Sequence, residues 1–292
     1  MRIAVLGASG VAGRALLPRL LARGHSVRGS FFGGNGASIA AHAGVDAMRC
    51  DVLDAPSVGA FIAGCDAVIN LATSVPKVGG RGDWVANDRV RRAGTTVVVE
   101  ACARARIAPA GALASAMEIG VRLVQQSVAM LHCVDDRRAQ NEDDPVEGYG
   151  VLASAVALES IVAQSAIDWR IARGALFYGP GSGRDEAWRA QLADPDFRVP
   201  GDGGAWHCFI HVEDFADALC VLVEHPAPRQ ACIVCDDRPL TLAQLYGGLA
   251  RLHGHAAPPA GGAPAMRSFR VTNARLRSLG WAPRHPALFE GA

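Results

Sequence analysis

The chain has 292 residues, 50% of them hydrophobic and 20% charged, with a formal net charge of +1; that length buries a sizeable core and favours one large domain or one and a half. Near-neutral charge with both signs interspersed argues against a nucleic-acid or membrane-surface protein, which would carry a basic face. No segment approaches the roughly 20 apolar residues of a bilayer span, and MRIAVLGASG lacks the apolar core and cleavage site of a signal peptide, so a cytoplasmic protein with reduced cysteines is expected.

RIAVLG is short, apolar and β-branched, the pattern of a strand buried on both faces. It runs into GASGVAG and an apolar helix ending at Gly24. In this turn Gly7 permits the bend, Gly10 lets backbone approach a pyrophosphate, and Gly13 allows close helix–strand packing; Ser9 and Val11 lie beside them, at a helix N-terminus that offers free N–H groups. Pro18 is expected to kink the helix. HSVRGSF follows as the second strand. Where a carboxylate usually holds the adenosine ribose stand Gly29, Ser30, Phe31 and Phe32. Without that acid the NAD preference loses its support, and Arg28 or Arg14 would hold a 2′-phosphate, so the cofactor is NADP or NAD with a lean to NADP. Either arginine also reads as a solvated surface charge.

CDVLDAPSVGAFIAGCDAVINLAT supplies a strand end, a helix and a buried strand over Ala67–Leu71. Strand and helix alternate through Thr95–Arg104 and Val121–Gln126, as in a parallel doubly wound sheet. Ligands bind at the carboxyl ends of such strands, where Asp51, Asn70–Thr73 and Ser127 fall. IDWRIARGALFYGPG reads as a strand and a Gly/Pro-rich loop. FIHVEDFADALCVLVEH reads as a strand and an amphipathic helix, with Asp214 as its cap. Cys232 and Cys235 have CxxC spacing, but ACIVCDD reads as a strand that points them to opposite faces. His207, Cys208 and His211 lack matching ligands elsewhere, so no metal site is expected. Residues 255–265, rich in Pro, Gly and Ala, read as a loop.

Taken in order, GASGVAG, DVLD around Asp51, AVINLAT, NDRVRRAGT around Asn87, VQQS around Ser127 and Tyr149 resemble an extended or atypical short-chain dehydrogenase/reductase of the NAD-dependent epimerase/dehydratase type. RGALFYGPGSG, PGDGG and FIHVEDFADAL extend the resemblance over nearly the whole chain. It implies an α/β fold, a Rossmann-type doubly wound parallel sheet with a smaller C-terminal substrate lobe. The division expected is 1–175 for the dinucleotide-binding domain and 176–292 for the lobe, partly interleaved with the sheet. It also implies that Asp51 and Val52 contact the adenine, that Leu71, Ala72 and Thr73 follow the cofactor backbone, and that Asn87 organises the site. Arg173 and Ala175 to Phe177 would pass near the nicotinamide.

Two departures concern chemistry. In the family a serine or threonine orients a carbonyl, a tyrosine passes the proton, and a lysine four residues later lowers the tyrosine pKa. Those roles fall on Ser127 and Tyr149, with Ala153 in the lysine's place. The chain's only lysine is Lys77. A phenol near its reference pKa of about 10 is ionised to roughly one part in a thousand at pH 7. Nucleotide-sugar members carry an arginine two residues before the FIHV-type phenylalanine; here it is His207, a poorer diphosphate clamp. A less charged small carbonyl compound or biosynthetic intermediate is therefore favoured, with Trp206, Trp188 and Phe177 as candidate pocket walls.

Three readings stay open. The first is an NAD(P)-dependent oxidoreductase or epimerase/dehydratase in which Lys77, Arg137 or Arg138 replaces the lysine. The second is a non-redox cyclase, lyase or isomerase using Tyr149, Ser127, His132 or Lys77. The third is a non-catalytic dinucleotide sensor. The expected partner is a small molecule, with no nucleic acid or membrane, and a homodimer is left open. The stretch IAPAGALASAMEIG, longer than the family's usual connection, has no assigned role.

Overall fold

The computed structural model describes residues 1–33, 36, 39, 42–75, 83–107, 119–132, 138–264 and 266–289. Seven parallel strands make the central sheet: β1 (Arg2–Leu6), β2 (Ser26–Phe31), β3 (Val45–Arg49), β4 (Ala67–Asn70), β5 (Arg122–Val128), β6 (Trp169–Gly174) and β7 (Gln230–Val234). Their spatial order is β7-β6-β5-β4-β1-β2-β3. The chain order reverses between β1 and β4, and the crevice at such a switch point is where open α/β sheets bind ligands.

Ile3 to Leu6 and Ala67 to Ile69 are fully buried, because helices cover both faces of the sheet. Alternation along β1 divides the core. Ile3 and Val5 pack with α1 (Val11–Ala22), while Ala4 and Leu6 pack with α2 (Ala55–Ile62) and α4 (Thr95–Arg104). Between α2 and α4 in sequence comes α3 (Trp84–Arg89), joined to α4 by a π-helical turn over Val90–Gly94. α5 (Ala153–Ala163) packs on α4. α1 runs unbroken through Pro18.

After Gly174 the chain leaves the sheet for α6 (Arg184–Ala193), then returns as α7 (Val212–Glu224) and β7 before leaving again for α8 (Leu242–His253). α7 lies beside α1, tied by Arg19–Asp217 at 2.9 Å and Arg23–Glu224 at 2.7 Å. Short strand pairs build the lobe, Leu176–Tyr178 with Phe209–His211 and Trp206–His207 with Leu240–Thr241. The stretch 255–265 is more than a loop: Ala260–Gly262 pairs with Val199–Pro200, where a Cβ on Gly262 would sit 2.5 Å from the Arg198 carbonyl oxygen.

Two local expectations are corrected here. Asp214 does not cap α7; the His211 ring accepts the Glu213 N–H at 3.3 Å and takes that role. Asp214 instead accepts from the Arg284 and His285 N–H groups at 3.1 and 2.8 Å, fastening the C-terminal segment to α7. Trp188 and Phe177 are packing residues, edge-on to Phe209 at 5.7 Å and against Phe215 at 4.7 Å. Among the described residues no helix is long and apolar enough to cross a membrane.

Candidate functional site

The turn between β1 and α1 is shaped by what its glycines leave out. Gly7 has φ +75°, and a Cβ on it would lie 2.8 Å from the Ala72 nitrogen and the Leu71 carbonyl oxygen. Its N–H donates to Ser30 Oγ at 2.9 Å, and the Gly10 N–H closes the turn on the Gly7 oxygen at 3.0 Å. A Cβ on Gly13 would fall 2.4 Å from the Ala8 oxygen, so α1 sits directly against the turn. No side chain caps α1 and no acid lies in its first turn. Its opening N–H groups, with the positive end of the helix dipole, therefore remain available to an anion.

Above this turn opens a cleft of about 600 Å³, within the size range of ligand pockets. Gly7, Ser9 and Gly10 form one wall, Asp51, Val52 and Leu53 the second, and Leu71 to Ser74 the floor. Phe32, Val85 and Arg89 stand at the rim. Asp51 shapes the second wall by accepting the Leu53 N–H at 2.9 Å. The floor is braced from below. Asn70 bridges Gln125 at 2.9 Å and accepts the Ala72 N–H at 3.2 Å, and the buried Asn87 accepts the Ser74 N–H at 3.1 Å. Asn87 Nδ2 and Ser127 Oγ are buried and have no hydrogen-bond partner among the described residues. Buried polar atoms are seldom left so, but neither residue lines the cleft. An uncapped helix start and a turn glycine with no room for a side chain fit the phosphates of a dinucleotide.

Several of the expected site residues stand elsewhere. Val11 and Gly13 lie in the first turn of α1 and offer backbone N–H groups, while the buried Ala175 gives its N–H to the Val234 oxygen at 3.0 Å; none of the three is among the residues lining the cleft. Arg28 is no 2′-phosphate ligand in this structure. Its guanidinium runs away from the cleft to Asp46 at 2.8 Å and to the Phe61 oxygen at 2.8 Å. Arg14 holds the Ser9 oxygen at 2.7 Å. Arg49, at the end of β3, lays its Cζ 5.7 Å from the ring centroid of Phe32, which stands at the cleft rim.

His132 is likewise not a catalytic acid. It is fully buried, with Nε2 3.0 Å from Arg173 Nη1; the arginine only donates, so this nitrogen accepts and the ring is neutral. Burial, reinforced by Arg173, pushes its pKa down to about 4. Arg173 in turn is held by Glu159 through Nε at 3.0 Å and Nη2 at 2.7 Å, which takes it out of the group facing the cofactor. Arg138 is paired with Asp144. Lys77, Arg137 and most of the stretch around 107–120 lie outside the described residues.

Ser127 is the penultimate residue of β5 and Tyr149 leads into α5, with Ala153 exposed at the start of that helix. Neither Ser127 nor Tyr149 lines the 600 Å³ cleft. Two arginines that sequence reasoning missed flank the α5 start. Arg91, on the π turn and only 5% exposed, reaches the Val151 oxygen and Ser154 Oγ, each at 3.4 Å. Arg267 lays its guanidinium over the Tyr149 ring, Cζ 4.4 Å from the centroid. A π turn often marks a functional position, but its presence is not written in the local sequence pattern.

Cys232 and Cys235 are both buried and both unpaired as thiols, and burial pushes Cys232 up to about 12. Other buried groups set a pH dependence. His207, like His132, is pushed by burial down to about 4. The unfolded chain takes up a proton on each histidine near 6.5, so acidification from pH 6.5 towards 4 favours unfolding. Burial raises Asp236 to about 8, and Glu142 in the same direction. Asp236 stays protonated in the fold where the unfolded chain is ionised, so raising the pH towards 8 also favours unfolding. Thermal stability should peak near pH 6.5, and Asp236→Asn should flatten the alkaline side of the melting-temperature profile. A wild-type profile still rising from pH 6.5 to 8 would contradict this.

A model of the NAD dependent epimerase/dehydratase family matches residues 3–234. The chain belongs to this NAD-dependent epimerase/dehydratase family. It is 32% identical to a 3-diazoavenalumate denitrifying reductase from a Streptomyces species over 321 residues, covering 100% of this chain and 99% of the relative. Its fold is similar to that of a dTDP-glucose 4,6-dehydratase from Bacillus anthracis solved in complex with NAD. That comparison has a TM-score of 0.79 and 14% identity, covering 97% of this chain and 92% of the other. A UDP-glucose 4-epimerase from Thermus thermophilus, also with NAD, gives 0.75 and 22%, covering 97% and 94%. At those identities the likeness to solved structures is one of fold. Family membership places the protein among NAD-dependent oxidoreductases, epimerases and dehydratases.

Proposed function

We propose that this family member is a reductase that passes hydride from a nicotinamide dinucleotide to a small, electron-poor substrate. The observation that carries the reading is Ala153, exposed where the family's lysine stands. Oxidising a sugar alcohol calls for a strong base, and a tyrosine without its lysine is a poor one at neutral pH. Reducing an electron-poor acceptor calls for a hydride and at most a proton donor, a task a neutral Tyr149 can meet. The whole-length relative named as a diazo-compound reductase supports the same direction.

The substrate class proposed is a diazo compound. For such a substrate in its cationic form the balance is R–N₂⁺ plus hydride giving R–H plus N₂: the C–N bond breaks, a C–H bond forms, and no alkoxide has to be neutralised. The bound dinucleotide would supply the hydride. Gly7, Ser9 and Gly10 would hold its phosphates, Asp51 and Val52 its adenosine, and Leu71 to Thr73 its backbone. Asn87 Nδ2 and Ser127 Oγ would donate to groups at the nicotinamide end or the substrate. NADP is the finer cofactor proposal, resting on neutral Ser30 under the ribose and Arg49 beside Phe32.

The test is a fluorescence titration with NADPH and NADH, followed by NADPH consumption on adding an aryl diazonium carboxylate. Micromolar binding, tighter for NADPH, and stoichiometric dinitrogen release are expected. A folded protein that binds neither dinucleotide would overturn the reading. Binding without hydride transfer to diazo or carbonyl acceptors would shift it to a sensor.

A further inference from the structure

The missing lysine leaves an electrostatic question that the structure answers in an unexpected place. Tyr149 is half-buried. Its ring packs with an apolar cluster of Leu131, Leu152 and Ala155, and Arg267, 118 residues further along the chain, covers it with a guanidinium 4.4 Å from the ring centroid. Arg267 is anchored by Glu147 at 3.1 Å. We propose that Arg267 is the cation that takes over the lysine's electrostatic task, holding a positive charge against Tyr149 and favouring its phenolate. This rests on the reductase reading only for its use: a shift of about one unit from about 10 leaves Tyr149 neutral at pH 7, still a poor base for oxidising an alcohol but a readier proton donor to an acceptor that takes one up.

Among the described residues, the charge set directly against the Tyr149 ring is that of Arg267. Arg267 faces the ring from the lobe. Glu147, on the tyrosine's own loop, is 57% exposed and already bound to that arginine, so solvent weakens its opposition. From the π turn, the buried Arg91 reaches Val151 and Ser154 at the same helix start, with Asp88 as its opposing charge. Further along α5, Glu159 is neutralised by Arg173, with the uncharged His132 beside them. An opposite charge within about 4–6 Å lowers an acid's pKa by roughly 1–3 units. With the side chain of Arg267 50% exposed, the lower end of that range applies.

The free protein is enough for the test, so no cofactor or substrate enters it. There are three tyrosines. Burial raises the pKa of both Tyr178 and Tyr246, which leaves Tyr149 to ionise first. In a low-salt pH titration of tyrosinate absorbance, one tyrosine should ionise about one unit below the reference value of about 10, and Tyr149→Phe should remove that step. Arg267→Gln should return the midpoint to about 10, while Arg267→Lys should keep most of the shift. Circular dichroism of each variant guards against a lost fold. A midpoint unmoved by Arg267→Gln, or a first step that survives Tyr149→Phe, overturns the proposal. Either result stands apart from the reductase reading, which falls on failed dinucleotide binding.

Discussion

Gly10→Glu is expected to weaken dinucleotide binding at least about 100-fold, roughly 2.7 kcal/mol, while leaving the melting temperature nearly unchanged. The two halves of that expectation have separate causes. Gly10 has φ −73° and ψ 176°, extended backbone open to any residue, and a Cβ there would meet only the Gly7 oxygen at 3.2 Å. The fold therefore tolerates a side chain. A carboxylate at the helix N-terminus even interacts favourably with the dipole. That same carboxylate would occupy the space over the free N–H groups and repel the phosphates they are placed to receive. Nicotinamide fluorescence gives the affinity and calorimetry the stability; a variant that still binds within threefold would show that the phosphates lie elsewhere. Gly7→Ala is the contrast, since φ +75° and the 2.8 Å approach of the Leu71–Ala72 peptide strain the fold itself.

Glu159→Ala should be among the most destabilising single changes in the molecule, by about 3–5 kcal/mol. Arg173 is 7% exposed, and Glu159 takes hydrogen bonds from its Nε and Nη2. Removing the carboxylate strands a buried guanidinium with the neutral His132 ring as its remaining ring partner. For a chain of this size that corresponds to a fall of about 10 °C in melting temperature. Glu159→Gln, which keeps two polar atoms in place, should cost less. Replacing the pair together with Glu159→Leu and Arg173→Met should recover most of the loss, because the desolvation of both charges disappears with them. Denaturant melts of the three variants decide this, and equal losses in the single and double changes would refute it.

The candidate site was legible in its backbone and largely illegible in its side-chain partners. GASGVAG, DVLD and AVINLAT came out as turn, strand end and floor, since each is a local pattern whose period and glycine spacing dictate the backbone. Thr95–Arg104 is helical over the span its sequence predicts, and the strand expected over Val121–Gln126 runs from Arg122 to Val128, starting one residue later and ending two later. Arg28, His132 and Asp214 were misread for one reason. A charged or ring side chain satisfies itself through whatever lies within about 3 Å, and nothing local to Arg28 reveals that the carbonyls of Phe61 and Ala63 are there.

The sequence by itself determined the order of strands and helices, the glycine turn and the Ala153 that stands four residues after Tyr149, all of which rest on neighbours a few residues apart. Only the tertiary structure decided where the chain's cations go. Arg173 is consumed by a buried carboxylate, Arg91 enters the π turn, and Arg267 crosses from the lobe to lie on Tyr149. Charge acts through space and burial, so its effect depends on distances that folding sets and no linear spacing records.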